Sequence, residues 1–228
     1  MKKSSHETHP EPSTQEMCER FDLIYTGAIS DVLDEMNFHD QVLPASIQAL
    51  DPKLRVSGVA MPVQGEPAFN LDRDDYFLPF LEMLGELKPG YVIVSQPNDS
   101  LTAHLGELIA ETAQLLGARG AVIDGGSRDI DYILKLKFPV FCRYRTPLDI
   151  VGRWKLKSYG NPVQIGQVTI RLGDFVVGDK DGVLIIPQEI THKVLLKSEE
   201  VVSTEDLVRK AILQGIHPVT AYKRYGRF

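Results

Sequence analysis

No apolar run in this sequence approaches the roughly 20 residues that a membrane-spanning helix requires. A helical membrane protein is therefore not expected. Cysteine is nearly absent: Cys18 lies in a polar stretch and Cys142 in the apolar run FPVFC. Two reduced thiols in a cytoplasmic protein is a simpler expectation than a disulfide. Basic charge is in deficit, with 25 Lys and Arg against 31 Asp and Glu for a net charge of -6. A nucleic-acid partner, which needs clustered cations, is not expected. The one basic group, Lys223, Arg224 and Arg227, reads as a solvated tail.

The N-terminus has no apolar segment of the kind a secretory signal carries. Residues 1–16 are expected to form a disordered leader, with His6 and His9 solvated rather than metal-bound. Gly125 and Gly126 follow a strand, but no further glycine completes a dinucleotide fingerprint, and a Walker sequence is missing. No Cys–His or Ser–His–Asp grouping has a meaningful spacing.

What is present is a chain of 228 residues with 43% hydrophobic content, enough for one well-filled core. A single α/β domain is expected over residues 17–228. Ile29, Val32, Leu33 and Met36 mark one face of a helix over 26–36. LRVSGVAMPV reads as a strand that Gly65 and Pro67 break, and a helix follows around 76–87. Strands at 91–95, 121–124 and 139–142 then alternate with helices ending near 116 and spanning 130–136, which implies parallel pairing. VQIGQVTIRLGDFVVGDKDGVLIIP has short β-branched runs between glycines, as antiparallel strands do. Helices resume from about Gln188 to Gln214, and Gly215 and Pro218 punctuate the tail.

The most informative stretch is GARGAVIDGGSRDID, residues 117–131. A buried strand ending in glycines and then presenting charge is how an α/β domain builds a site at the carboxyl edge of its sheet. Arg128 offers a planar donor fork suited to a carboxylate, and Asp129 offers hard oxygens suited to a divalent cation. The same two residues would also serve as a helix-entry ion pair. Asp124 and Asp131 flank them and could join a metal site. Upstream, HLGELIAETAQLLGA places Leu108, Ile109, Thr112, Leu115 and Leu116 on a stripe read as core-facing. If that helix begins near Gly106, its free first-turn amides form an anion cradle; if it begins at Thr102, they do not. Glu107 reads as a first-turn acid and His104 as either a pocket residue or a loop histidine. The DKDG turn at 179–182 is first of all a hairpin signal, though it could hold a cation.

GARGAVIDGGSRD, with LGELIAETA before it and FPVFCRYRTP and GDFVVGDKDGVLIIP after it, resembles the regulator of ribonuclease activity A-like family. That family includes the 4-hydroxy-4-methyl-2-oxoglutarate aldolases, and the similarity runs from about Thr26 to Gly215. The resemblance implies a fold like the swivelling β/β/α phosphohistidine domain, assembled as homotrimers or homohexamers with active sites between subunits. It implies backbone amides of Gly106, Glu107, Leu108 and Ile109 on the carboxylate of a 2-oxo acid substrate. It also implies Arg128 on the keto acid and Asp129 as the protein's ligand to Mg²⁺ or Mn²⁺. The activity implied is a metal-dependent retro-aldol cleavage that releases pyruvate, with oxaloacetate decarboxylation beside it. The alternatives are a non-catalytic regulator that binds a ribonuclease, and a related lyase or hydro-lyase acting on a sugar-derived acid. Ser127 stands where the family usually has an apolar residue, and His104 precedes the GEL segment by two. An acid on the C-terminal helix, Glu200 or Glu205, could reach a neighbouring subunit's site.

Overall fold

A computed structural model describes residues 12–228. Four parallel strands carry the fold: β2 (Val56–Pro67), β3 (Tyr91–Gln96), β5 (Gly120–Ser127) and β6 (Val140–Arg145). They lie in the order β2, β3, β5, β6, joined by α3 (Arg73–Gly85), α4 (Glu107–Leu115) and α5 (Ile130–Leu136). Strand side chains alternate between faces, which divides the core. Met61, Val63, Ile93, Ala121 and Ile123 pack under the three helices, while Ala60, Val92, Val94 and Val122 face the opposite way.

The antiparallel second half curls the sheet. β10 (Phe175–Asp179) pairs with β2 and with β11 (Gly182–Ile186), so β11 ends one edge. The residues before β1 (Gln48–Ala49) bridge that edge to the other. Leu43 donates to Val183 O at 2.8 Å, and β1 pairs with β6. The result is a nearly closed, barrel-like sheet in a single mixed α/β domain. Its interior holds Val176, Val183 and Ile185 together with the hairpin of β8 (Val163–Ile165) and β9 (Val168–Ile170). The outer face of β10 and β11 is covered by α1 (Thr14–Phe21), α2 (Thr26–Glu35) and α6 (Thr191–Leu213).

Several sequence expectations change here. The expected leader 1–16 overlaps α1, which begins at Thr14 because Ser13 Oγ accepts from Glu16 N–H at 3.2 Å; His6 and His9 lie outside the described residues. β2 runs through Gly65 rather than ending there, and continues against β7 (Trp154–Tyr159), a strand not anticipated. The basic tail is not simply solvated. Pro218 starts α7 (Pro218–Tyr225), where a missing N–H costs nothing, and Arg227 pairs with Glu35 on α2. The DKDG turn is the β10–β11 hairpin, and the first of its two acids is already engaged. Asp179 accepts from Thr26 N–H and Oγ1–H at 3.0 and 2.8 Å, capping α2 from a distance. Cys18 and Cys142 are buried, unpaired thiols. Among the described residues no helix is long and apolar enough to cross a membrane.

Candidate active site

The site forms where two strand ends meet a helix start. β4 (Ala103–Leu105) runs beside the end of β5, with Ala103 opposite Gly126 and Leu105 opposite Ser127. Arg128 N–H and Ser127 Oγ–H both donate to Leu105 O at 3.0 Å. Ser127 is fully buried, so its hydroxyl fastens these strand ends where an apolar residue could not. Gly106 then caps α4, and Ala110 N–H is the first to bond within the helix, to Gly106 O at 3.1 Å. The helix begins late, which leaves the first-turn amides of Leu108 and Ile109 for a ligand, while that of Glu107 is taken by Asp129.

Asp129 occupies the N-cap position of α5 in the left-handed region (φ 56°, ψ 38°). An aspartate tolerates that conformation better than most residues. Its carboxylate does not cap α5. It reaches across to α4, where Oδ2 accepts from Glu107 N–H at 3.1 Å and lies 3.5 Å from Arg128 Nε. Both contacts fall on Oδ2. The helix-entry ion pair is thus part of a larger arrangement, because the carboxylate serves the start of a different helix. Arg128 Nη1 also lies 3.4 Å from Asp149 Oδ1. Asp149 was not anticipated; it stands in the loop after β6, and the available signal was an acid following a buried strand. A cleft of about 360 Å³ opens here, lined by Ser127, Arg128, Asp129, Ile130, Arg145, Thr146 and Pro147.

The remaining candidates separate. Leu108 and Ile109 belong to the first turn of α4; of the expected core stripe Ile109 packs against the core, but the leucines do not. Leu108 is 74% and Leu115 82% exposed, and Ala110 and Ala113 are buried instead. Small residues let the helix approach the sheet closely, which turns the long leucines outward. Asp124 sits 2.8 Å from Arg143 Nε and not at the metal position; burial raises its pKa, with Arg143 opposing. Asp131 is exposed in the first turn of α5. Glu205 is held by the Tyr25 hydroxyl, and Glu200 is exposed on α6.

His104 is buried and has a supporting place. Its Nδ1 accepts from Gly126 N–H at 3.2 Å, so Nε2 carries the proton and donates to Asp99 Oδ2 at 3.1 Å. Burial pushes its pKa down to about 4, against the pull of Asp99. A neutral imidazole therefore pins the glycine end of β5, which leads into Arg128.

A divalent cation would find one hard ligand in this cleft. No group of three or more His, Cys, Asp or Glu side chains suited to a metal occurs among the described residues. Asp129 Oδ1, however, is left clear of the contacts made by Oδ2. Mg²⁺ is commonly held by one or two carboxylates, with water and substrate oxygens completing its octahedron. The donor set fits such an open site and does not fit a closed structural one.

Comparison with known proteins identifies the family. A model of the RraA-like family (Aldolase/RraA) matches residues 26–185. A protein of Halalkalibacterium halodurans named "Putative 4-hydroxy-4-methyl-2-oxoglutarate aldolase" is 34% identical over 207 residues, covering 89% of this chain and 91% of its own. A crystal structure described as that of novel cellulases from microbes associated with the gut ecosystem is 35% identical. It has a TM-score of 0.82 over 89% of this chain and 90% of its own. RraAS2 of Streptomyces coelicolor, described as an unusual member of the RNase ES inhibitor RraA protein family, is 25% identical. Its TM-score is 0.78 over 87% of this chain and 98% of its own. By fold, by the matched span and by these relatives, the chain belongs to the RraA-like family.

Proposed function

We propose that the chain is a divalent-metal-assisted lyase that cleaves a 4-hydroxy-2-oxo acid by a retro-aldol reaction and releases pyruvate. Oxaloacetate decarboxylation follows as a second activity, because it generates the same enolate. The observation that carries this reading is the meeting of a carboxylate, a guanidinium and a helix N-terminus: Asp129 Oδ2 lies on both Glu107 N–H and Arg128 Nε. The 34%-identical relative named for this aldolase supports it.

Each group has a part in the reaction. The first-turn amides of Leu108 and Ile109, at the positive end of α4, receive the substrate carboxylate. Arg128 directs charge-assisted hydrogen bonds at the keto oxygen, where negative charge develops. Asp129 would hold the cation, which would supply Lewis acidity toward that charge. The 4-hydroxyl gives its proton to solvent water, its O–H electron pair forms the C4 carbonyl of the second product as the C3–C4 bond breaks, and the C3–C4 pair forms the enolate of pyruvate. C3 then takes up a proton. Leu108 is exposed beside the cleft, with Leu101 and Leu115 also exposed. That apolar surface supports a homotrimer or homohexamer in which a second copy covers the site.

The test is pyruvate release from 4-hydroxy-2-oxo acids and oxaloacetate, with and without Mg²⁺ or Mn²⁺. Asp129→Asn keeps the left-handed backbone at low cost, whereas Asp129→Ala adds a penalty of about 1 kcal/mol. Both variants lose metal-dependent turnover, and Asp129→Asn stays close to the parent in unfolding free energy. Full turnover in Asp129→Asn would rule out Asp129 as the ligand that holds the cation, and a parent chain that releases no pyruvate would rule out the lyase. The second reading, a regulator that binds a ribonuclease, is favoured by the likeness to RraAS2. It gains if the purified chain releases no pyruvate from any of these acids.

A further inference from the structure

Arg145 ends β6 and stands in register with Ser127 on β5, whose carbonyl accepts from Thr146 N–H at 3.1 Å. That places it one strand over, about 4.8 Å, from the residue preceding Arg128. The two arginines line the same cleft but differ in their partners. Arg128 is engaged by Asp129 and Asp149. Arg143, two residues before Arg145, is engaged by Asp124 and by the carbonyl of Asp99. Arg145 makes no ion pair and no side-chain hydrogen bond with any of the described residues. A guanidinium is a fixed donor fork with no neutral form in the working pH range, so it favours a bidentate anion.

The charges in the cleft point the same way. Arg128, Asp129 and Asp149 sum to one negative charge, and Arg145 brings the total to zero. A divalent cation would raise it to plus two. A dicarboxylate matches that charge, whereas a monocarboxylate leaves one positive charge unmet.

We propose that Arg145 is a specificity-determining residue that receives the second, distal carboxylate of a dicarboxylic 2-oxo acid. This rests on the lyase reading for the first carboxylate and the keto group, and it assigns a new role to a residue outside that machinery. Arg145 is exposed, so its effect is a preference among acids rather than an absolute requirement.

The experiment is calorimetric titration of the Mg²⁺-loaded protein with pyruvate, 2-oxobutyrate and 2-oxoglutarate, for the parent, Arg145→Gln and Arg145→Lys. The parent is expected to bind 2-oxoglutarate at least about tenfold tighter than 2-oxobutyrate. In R145Q that preference falls to within about twofold while the pyruvate affinity holds, and R145K retains part of it. The inference is overturned if the parent shows no preference or if R145Q keeps it. It is also overturned if R145Q weakens all three acids equally, or if R145Q changes the oligomer mass, which would give Arg145 to a subunit contact. A parent that prefers dicarboxylates yet releases no pyruvate would remove the lyase reading and leave this assignment standing.

Discussion

A β-carbon at Gly106 would lie 2.5 Å from Asp129 Oδ2 and 3.2 Å from Arg128 Nε. The backbone there is extended (φ -130°), so conformation does not demand glycine at this position. The demand comes from the site, because a methyl group would enter the space in which carboxylate and guanidinium meet. Gly106→Ala is therefore expected to displace both groups. A misplacement of about 1 Å can cost on the order of 100-fold in rate, and kcat/KM should fall by about that much. The unfolding free energy should change by no more than about 1 kcal/mol, since the displaced groups are partly exposed. A variant that keeps its rate would show that Asp129 and Arg128 need not stand where they do.

Gly65 has a different reason for being glycine. A β-carbon there would lie 1.9 Å from Cζ2 of Trp154, a fully buried ring whose Nε1–H donates to Pro97 O at 2.8 Å. The ring cannot retreat without breaking that bond. Gly65→Ala should thus destabilise the fold by about 3 kcal/mol or more, as overpacking against a rigid group does. The measurement is the urea midpoint, and a shift equivalent to less than about 1 kcal/mol would contradict the fit between Gly65 and Trp154.

That pairing also explains what the sequence concealed. Glycine and proline are normally breakers, so Gly65 and Pro67 read as the end of a strand. β2 continues because the residue that fills the gap, Trp154, is 89 positions away and opens a strand whose own pattern, WKLKSY, is a third basic. Long-range packing of this kind leaves no local trace. α5 was legible because its periodicity and the preceding Asp129 are local, and so were the β8–β11 runs between glycines. The helical repeat in α4 was equally visible, but periodicity states that one face is apolar and not which face is buried. Ala110 and Ala113 won the core because they are small. Within the site, Arg128 and Asp129 announced themselves through the strand–glycine–charge order, and Gly106 through the possible start of a helix. Asp149 and Arg145 did not, because only the lateral pairing of β5 and β6 brings them to Arg128.

The imidazole of His104 makes stability depend on pH in a definite direction. In the fold it is buried between the edge of Trp154, at 4.9 Å between ring centroids, and Gly125 and Gly126 at the end of β5. The charges near it are Asp99, which favours protonation, and Arg143, which opposes it. Burial outweighs them and pushes the pKa down to about 4 from an ordinary value of 6.5. Above that ordinary value both folded and unfolded chains hold the ring neutral, so its contribution is fully present at neutral pH. As the pH falls from 6.5 toward 4 the unfolded chain takes up a proton that the fold refuses, and stability is lost. The shift corresponds to about 3 kcal/mol across the window. His104→Asn keeps a polar side chain on the Gly126 amide but cannot titrate. Its unfolding free energy should be lower than the parent's at pH 7.5 and nearly flat between pH 6.5 and 4.5, relative to the parent's decline. Urea titrations of both proteins across that range decide it. If the two decline in parallel, the proton that destabilises the parent goes to some other group.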